Sequence, residues 1–246
     1  MNTNIETQTR LEDCRKTILP DFINICEFRE QISKMWDEKI IIQYEVNNHQ
    51  GKKELPTLSI DLVIKAGNIL ATELVKLRMS NITILDIIAG NCAGSRVLLN
   101  IIKNYDLKKL IIKKWISTDI IDYKKTIKDK NHEFYKLNGL NSVENFGNQS
   151  DLLLLMCPPP NYVIQDNLIN PMSLCDYYSI VDFIKMNKSK NKLIVFISEL
   201  GASSGTIGMY HFMMTNKDIE LTHREMIITS YQFGLIEIEI FIFKIL

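Results

Sequence analysis

The chain contains 246 residues, 46% of them hydrophobic, and its 29 Lys and Arg residues balance its 29 Asp and Glu residues. This length and composition predict one α/β domain with a modest appendage and argue against a disordered chain. A net charge of zero provides no general attraction for nucleic acid or for an anionic membrane surface.

The cysteines argue against a secreted or metal-binding protein. There are five of them, and no pair has CxxC spacing, so the sequence predicts neither a disulfide framework nor a zinc site. The first residues lack an apolar signal region, and no run reaches the roughly 18 apolar residues of a membrane span. We therefore expect a soluble cytoplasmic protein without a metal and without a membrane partner.

Two units are predicted along the chain. Residues 1–55 carry helical periodicity interrupted at Pro20, which predicts a helical cap or lid. The polar stretch NNHQGKKELP separates this cap from residues 56–246, the predicted main domain. That domain opens with an amphipathic helix over 57–79, whose start Thr57 or Ser59 could cap.

Strands and helices then alternate, as in a parallel sheet covered by helices. Short apolar runs predict five buried strands, namely NITILDII, KKWISTDI, HEFYKL, DLLLLMC and NKLIVFISE. Helices are predicted between them at Ser95–Asn104, Tyr123–Asp129, Val143–Phe146 and Asp176–Met186. The segments IELTHREMIITSY and LIEIEIFIFKIL predict a terminal antiparallel hairpin, in which alternation marks Glu237 and Glu239 as exposed. The predicted fold is a doubly wound, seven-stranded, mostly parallel α/β sheet with this hairpin and the N-terminal helical cap.

The stretch ILDIIAGNCAGS is the first candidate for a binding site. A buried strand ends at Asp86 and is followed by small residues, including Gly90 and Gly94. Ligands of doubly wound sheets bind beyond the carboxyl ends of the strands, where small residues allow close approach and a helix begins with free N–H groups. A plain strand-to-helix turn would have the same pattern.

A second acid lies at a strand end. The strand KKWISTDI finishes with Asp119, which comes 33 residues after Asp86, and Ile120. A carboxylate at this place can accept hydrogen bonds from both hydroxyls of a ribose. A helix cap is the simpler alternative for Asp119.

The segments DLLLLMCPPPNY and FISELGASSG carry the remaining signals. Consecutive prolines fix φ and hold their carbonyl groups rigidly, which suits the positioning of a reacting group. Glu199 follows the fifth strand, where it could orient or deprotonate a substrate. Cys157 has no histidine or cation nearby in sequence, so a small buried residue is the simpler interpretation of it than a nucleophile.

Together these features resemble the class I, Rossmann-like S-adenosylmethionine-dependent methyltransferases, in an uncharacterised branch, over residues 57 to 246. The family's first motif usually runs Asp-x-Gly-x-Gly-x-Gly. Here Asp86 is followed by Ile88 and Cys92 at the first and third glycine positions, with Gly90 at the second.

The resemblance implies S-adenosylmethionine as the cofactor. Asp86 and the backbone around Ala89 and Gly90 would hold its amino-acid end, Asp119 its ribose, and the segment with Asn141 its adenine. The implied cofactor-binding residues are Asp86, Ala89, Gly90, Asn91, Gly94, Asp119, Ile120, Asn141, Ser142 and Met156.

The prolines resemble the family's fourth motif, Asn/Asp-Pro-Pro-Tyr/Phe, in which the acid or amide and a proline carbonyl accept hydrogen bonds from the target nitrogen. Cys157 occupies the acceptor position here, and a thiol accepts weakly. Asn161 and Tyr162 could supply the acceptor and the aromatic platform instead. The implied catalytic residues are Cys157, Pro158, Asn161, Tyr162 and Glu199.

The function predicted is methyl transfer to an unidentified nucleophile of a small molecule, a protein side chain or a nucleic acid base. Neutral charge favours the first two, whereas the proline motif favours nucleic acid. Two alternatives stay open. The replaced glycines and acceptor fit an inactive cofactor-binding or interaction module, and a nicotinamide-dependent dehydrogenase would also have a glycine-rich turn, although GxGxxG spacing is missing.

Overall fold

The computed structural model describes residues 60–90, 92–105, 110–119, 122, 127, 129–158, 163–164, 168–169, 175–188, 190–198, 207–231 and 234–246. The predicted cap, residues 1–55, lies outside these ranges. The division of the chain into a cap and a main domain therefore stays a prediction.

Seven strands form the main sheet. They are β1 (Ile82–Ile87), β2 (Ile112–Asp119), β3 (His132–Lys136), β4 (Leu152–Met156), β5 (Leu193–Ser198), β6 (Ile219–Tyr231) and β7 (Gly234–Ile245). Their order is β3-β2-β1-β4-β5-β7-β6. The first five are parallel to one another, β7 is antiparallel to β5, and β6 is antiparallel to β7 in the terminal hairpin. The predicted seven-stranded, mostly parallel α/β sheet with a terminal antiparallel hairpin is confirmed. A separate antiparallel pair, Val163–Ile164 and Leu168–Ile169, was not predicted.

Five α-helices accompany the sheet in the described ranges: α1 (Ile60–Lys76), α2 (Ala93–Tyr105), α3 (Gly139–Phe146), α4 (Cys175–Asn187) and α5 (Ile207–Thr215). The helix predicted over 123–129 is not seen at its described residues, Ile127 and Asp129. None of the helices in the described ranges has the length and apolarity needed to cross a membrane.

The first helix ends three residues earlier than predicted, for a local reason. Arg78 adopts φ 55°, and its N–H donates to the carbonyl of Val75 while the N–H of Met79 donates to that of Leu74. This pair of hydrogen bonds is the Schellman motif, which satisfies the last carbonyl groups of a helix and turns the chain away from it.

Helices cover both faces of the sheet, which explains the near-continuous apolar sequences of the central strands. β1, β4 and β5 are buried at every residue. The core on one face includes Leu70 of α1 and Leu98 of α2. The core on the other face includes Val143 of α3, Phe183 of α4 and Met209 of α5.

The exposure predicted for Glu239 is wrong. Only 4% of Glu239 is exposed. Its strand, β7, lies between β5 and β6 in the sheet, and the Arg224 side chain of β6 covers its carboxylate through a 2.8 Å ion pair. Alternation indicates a polar face, but it does not show whether another side chain covers that face. The side chain of Glu237 is not among those described.

The central position of β1 predicts where truncation is costly. Ile84 is fully buried in β1, whereas Ile111 is 54% exposed before β2. Ile84→Ala should lower the free energy of unfolding by about 2–5 kcal/mol because it leaves a cavity in the core. Ile111→Ala, the matched control, should change it by less than about 0.5 kcal/mol. Urea denaturation followed by circular dichroism measures both, and equal losses would contradict the assignment of β1 to the core.

Candidate functional site

The candidate site lies where the strand order reverses. β1 is flanked by β2 on one side and by β4 on the other, and crossovers to opposite sides open a crevice at the carboxyl ends of such strands. All three strands are parallel, so their carboxyl ends share one edge. Asp86, Asp119 and Cys157 lie at this edge, each at or just before the end of its strand or directly after it.

The turn after β1 has an unusual backbone. Ile88, Gly90 and Cys92 have φ values of 57°, 54° and 60°, the left-handed region that glycine adopts most easily. These are the three glycine positions of the motif that the sequence resembles. A β-branched residue in this region is a genuine outlier and stores about 1–3 kcal/mol of strain. Isoleucine and cysteine thus adopt, at two of these three positions, a backbone conformation that glycine adopts more easily.

Backbone hydrogen bonds hold this turn against β2. The N–H of Ala89 donates to the carbonyl of Thr118 over 3.0 Å, and the N–H of Cys92 donates to the carbonyl of Ala89 over 3.0 Å. The second bond closes a four-residue turn directly before α2. Gly94, in the first turn of α2, is half-buried.

Asp119 ties the end of β2 to the same turn. Its Oδ2 accepts a 2.9 Å hydrogen bond from the N–H of Gly90, and only 9% of the residue is exposed. A carboxylate accepting from a backbone N–H is a strong, charge-assisted contact. The acid predicted for the ribose is therefore held in place beside the predicted cofactor turn.

Asp86 lies below the turn and is fully buried. Its Oδ2 accepts hydrogen bonds from the Ser95 hydroxyl at 2.5 Å, the Ser117 hydroxyl at 3.0 Å and the Trp115 indole N–H at 3.2 Å. Its Oδ1 is buried without a hydrogen-bond partner. These contacts connect β1, β2 and the first turn of α2 through one carboxylate.

The network continues to β3. The Ser117 hydroxyl also contacts Nε2 of His132 at 2.8 Å, and because that hydroxyl donates to Asp86, the imidazole must be the donor. Burial lowers the pKa of His132 to about 4. Burial raises the pKa of Asp86 to about 6, against the effect of its three hydrogen bonds. At neutral pH the carboxylate is charged and the imidazole is neutral.

Neither Cys92 nor Cys157 forms a disulfide. Burial, followed by the negative charge of Asp86, raises the pKa of the Cys92 thiol to about 12. Cys92 is therefore a protonated core residue. It does not act as a nucleophile, because only a thiolate does so. Its Sγ lies 3.6 Å from the carbonyl oxygen of Gly90.

The two residues predicted beside the adenine differ in exposure. Asn141 is exposed at the start of α3, where its N–H donates to the capping side chain of Asn138. Ser142 is fully buried, and its hydroxyl contacts Thr118 at 2.8 Å and the carbonyl of Asn138 at 2.6 Å. Ser142 thus connects α3 to β2 through a hydrogen bond. Of the two residues, only Asn141 is accessible to a ligand.

The end of β4 turns sharply. Met156 is 8% exposed, Cys157 has φ 44°, and Pro158 is buried. The N–H of Cys157 donates to the carbonyl of Ile197 over 2.8 Å, which holds Cys157 level with the end of β5. The remaining predicted site residues lie outside the described ranges: Asn91, Ile120, Asn161, Tyr162 and Glu199.

Sequence reasoning missed the side chains around Asp86, namely Ser95, Trp115, Ser117 and His132. A signal was available in KKWISTDI, because Trp115, Ser117 and Asp119 alternate and so share one face of the strand. The contribution of β3 had no comparable signal, since the register that brings His132 opposite Trp115 is a property of the sheet.

No family model matches the chain, and no curated protein matches it in sequence. Solved structures with a similar fold include a candidate RNA methyltransferase of Pyrococcus horikoshii, with 12% identity, a TM-score of 0.49 and coverage of 75% of this chain and 84% of that one. An S-adenosylmethionine-dependent methyltransferase of Methanosarcina mazei has 12% identity, a TM-score of 0.47 and coverage of 70% and 97%. The N-methyltransferase NodS of Bradyrhizobium japonicum, in complex with S-adenosylhomocysteine, has 13% identity, a TM-score of 0.43 and coverage of 72% of this chain and 86% of that one.

The buried carboxylate predicts a pH effect on stability. Because the pKa of Asp86 is about 6 in the folded protein against 3.8 ordinarily, its favourable contribution is fully present below about pH 4 and is lost as the pH rises through 6. The contribution amounts to about 3 kcal/mol. Relative to the parent protein, Asp86→Asn should therefore become less stable as the pH falls from 6 to 4, as measured by urea denaturation. Parallel stability curves would contradict the burial of this carboxylate.

His132 predicts the opposite slope. Its folded pKa of about 4 lies below the ordinary 6.5, so the unfolded chain binds the proton first and stability falls between pH 6.5 and 4. His132→Gln removes this loss and should gain stability relative to the parent protein over that interval. The same denaturation series measures it, and a variant curve that falls as steeply as that of the parent would rule out this role.

Proposed function

We propose that the chain is an S-adenosylmethionine-dependent methyltransferase that methylates a nucleophile of a small molecule, a protein side chain or a nucleic acid base. The observation that carries the proposal is the 2.9 Å hydrogen bond between Asp119 and the N–H of Gly90 at the strand-order reversal. It brings together a carboxylate suited to ribose hydroxyls and a left-handed turn at the start of a helix. The cysteine pattern supports a cytoplasmic location.

The residues present fit the cofactor. Asp119 would accept from the ribose hydroxyls, and the backbone of Ala89, Gly90 and Asn91 would bind the amino-acid end near the start of α2. Asn141, which is exposed at the start of α3, would border the adenine. Asp86, with one unpartnered buried oxygen, supports the turn from below. S-adenosylmethionine supplies an activated sulfonium methyl group, so the protein's tasks are alignment and proton removal.

The methyl acceptor would bind beyond β4, beside Cys157. A thiol accepts hydrogen bonds weakly, so the Pro158 carbonyl, Asn161 and Tyr162 would position the nucleophile. Glu199, directly after β5, would accept the proton that leaves it.

An inactive cofactor-binding module is the second candidate. It is favoured by the isoleucine and cysteine at two left-handed positions of the turn and by Cys157 at the acceptor position. Incubation of the protein with S-adenosylmethionine and a cell extract distinguishes the two. Formation of S-adenosylhomocysteine supports the enzyme, whereas tight binding without turnover supports the module.

Replacement of the ribose carboxylate tests the proposal. Asp119→Asn can still accept the Gly90 N–H but loses the charge and one strong acceptor, so affinity for S-adenosylhomocysteine should fall at least about tenfold, or about 1.4 kcal/mol. Isothermal titration calorimetry measures this loss. Glu144→Gln, at an exposed position of α3, removes the same charge and should bind like the parent protein. Absence of binding by the parent protein at millimolar S-adenosylhomocysteine would overturn the proposal.

A further inference from the structure

Glu239 lies at the same edge of the sheet as the proposed cofactor site. It is paired with Ser198, the last residue of β5. The backbone N–H of Cys157 donates a hydrogen bond to the carbonyl of Ile197, the residue before Ser198. Cys157, Ser198 and Glu239 therefore form one row across β4, β5 and β7. With strands about 4.8 Å apart, the backbone of Glu239 lies about 10 Å from that of Cys157.

The two carboxylate oxygens of Glu239 have different surroundings. Oε1 accepts a 2.8 Å hydrogen bond from Arg224. Oε2 is buried and has no hydrogen-bond partner, although only 4% of the residue is exposed. A buried acceptor without a donor is unfavourable, and native proteins contain few of them. This oxygen is therefore an unused acceptor at the ligand-binding edge.

Arg224 does not use both oxygens. Its guanidinium lies over the Phe241 ring, 5.4 Å from the ring centroid, and its side chain is 50% exposed. Contact with the ring fixes the group to one side of the carboxylate, which leaves Oε2 for a different donor.

Two half-exposed apolar side chains lie next to Glu239 on the neighbouring strand β6. Met226 is the direct cross-strand partner of Glu239 and is 50% exposed. Ile228, two residues further along the same face, is 51% exposed. A ligand that satisfies Oε2 would also cover these side chains, so it would carry its donor on an apolar frame.

We infer that Glu239 binds an amino group of the methyl acceptor, donated as N–H to Oε2, while Met226 and Ile228 contact the apolar frame that carries it. The inference rests on the proposed function and names the substrate class as an amine on an alkyl or aryl frame. Glu239 is a binding residue here. The methylated atom would lie about two strand spacings away, beside Cys157.

Methionine methyl groups provide a local probe. The protein contains 10 methionines, and [¹³C-methyl]methionine labelling with the variant Met226→Leu assigns the Met226 signal. Benzylamine should shift this signal in a saturable manner, whereas benzyl methyl ether, which lacks an N–H, should bind at least tenfold more weakly. Equal shifts with both compounds, or none with benzylamine, would overturn the inference.

Two variants separate binding from a purely structural ion pair. Glu239→Gln presents an amide in place of the carboxylate and should weaken benzylamine at least tenfold, whereas Arg224→Gln should leave it unchanged or tighten it. A structural pair would instead give equal stability losses and no change in benzylamine affinity with either variant. Glu225→Gln, at an exposed position of β6, is the matched charge control. If Glu239→Gln fails to fold, Glu239→Asp replaces it and should weaken benzylamine by moving the acceptor away.

Titration of the same samples with S-adenosylhomocysteine keeps the two proposals distinguishable. Cofactor binding without a benzylamine effect at Met226 overturns the role of Glu239 alone. A benzylamine effect without cofactor binding overturns methyl transfer, and with it the assignment of the amine as a methyl acceptor.

Discussion

The buried carboxylate of Asp86 is the interaction on which the site depends. One oxygen accepts hydrogen bonds from the Ser95 hydroxyl of α2 and from the Trp115 and Ser117 side chains of β2. Asp86 therefore connects its own strand, β1, with both β2 and α2. Burial of a charge is costly unless it is well hydrogen-bonded, and the raised pKa records this cost. The carboxylate therefore supports the turn from below, while Asp119 secures it from the side.

In the turn after β1, residues other than glycine adopt a backbone conformation that glycine adopts most easily. Left-handed φ values at Ile88, Gly90 and Cys92 reproduce the conformation for which three glycines are the easiest solution. The buried network and the Asp119 contact supply enough fixed interactions to hold two side-chain-bearing residues there. Loss of glycines is therefore compatible with the shape of the turn, although it adds strain.

The position of Glu239 at the carboxyl-end edge of the sheet depends on the hairpin. Insertion of β7 between β5 and β6 brings Glu239 level with the end of β5 and places it among Arg224, Phe241 and Met226. An alternating sequence is typical of a strand with one exposed face. Here the Arg224 guanidinium, which lies over the Phe241 ring, covers the carboxylate of Glu239, so the acid becomes a buried acceptor at the carboxyl-end edge of the parallel strands.

The sequence by itself determined the strands, most of the helices, the fold class and the two acids at the ends of β1 and β2. These features are local: apolar runs, periodicity and small residues after a strand fix them within a few positions. Only the tertiary structure decided which strands are neighbours, because register and strand order arise from packing between segments far apart in the chain. The contacts of Asp86 with Trp115 and Ser117, the indirect contribution of His132 and the burial of Glu239 all depend on that order. A side chain's partners across a sheet are set by register, and no local pattern encodes them.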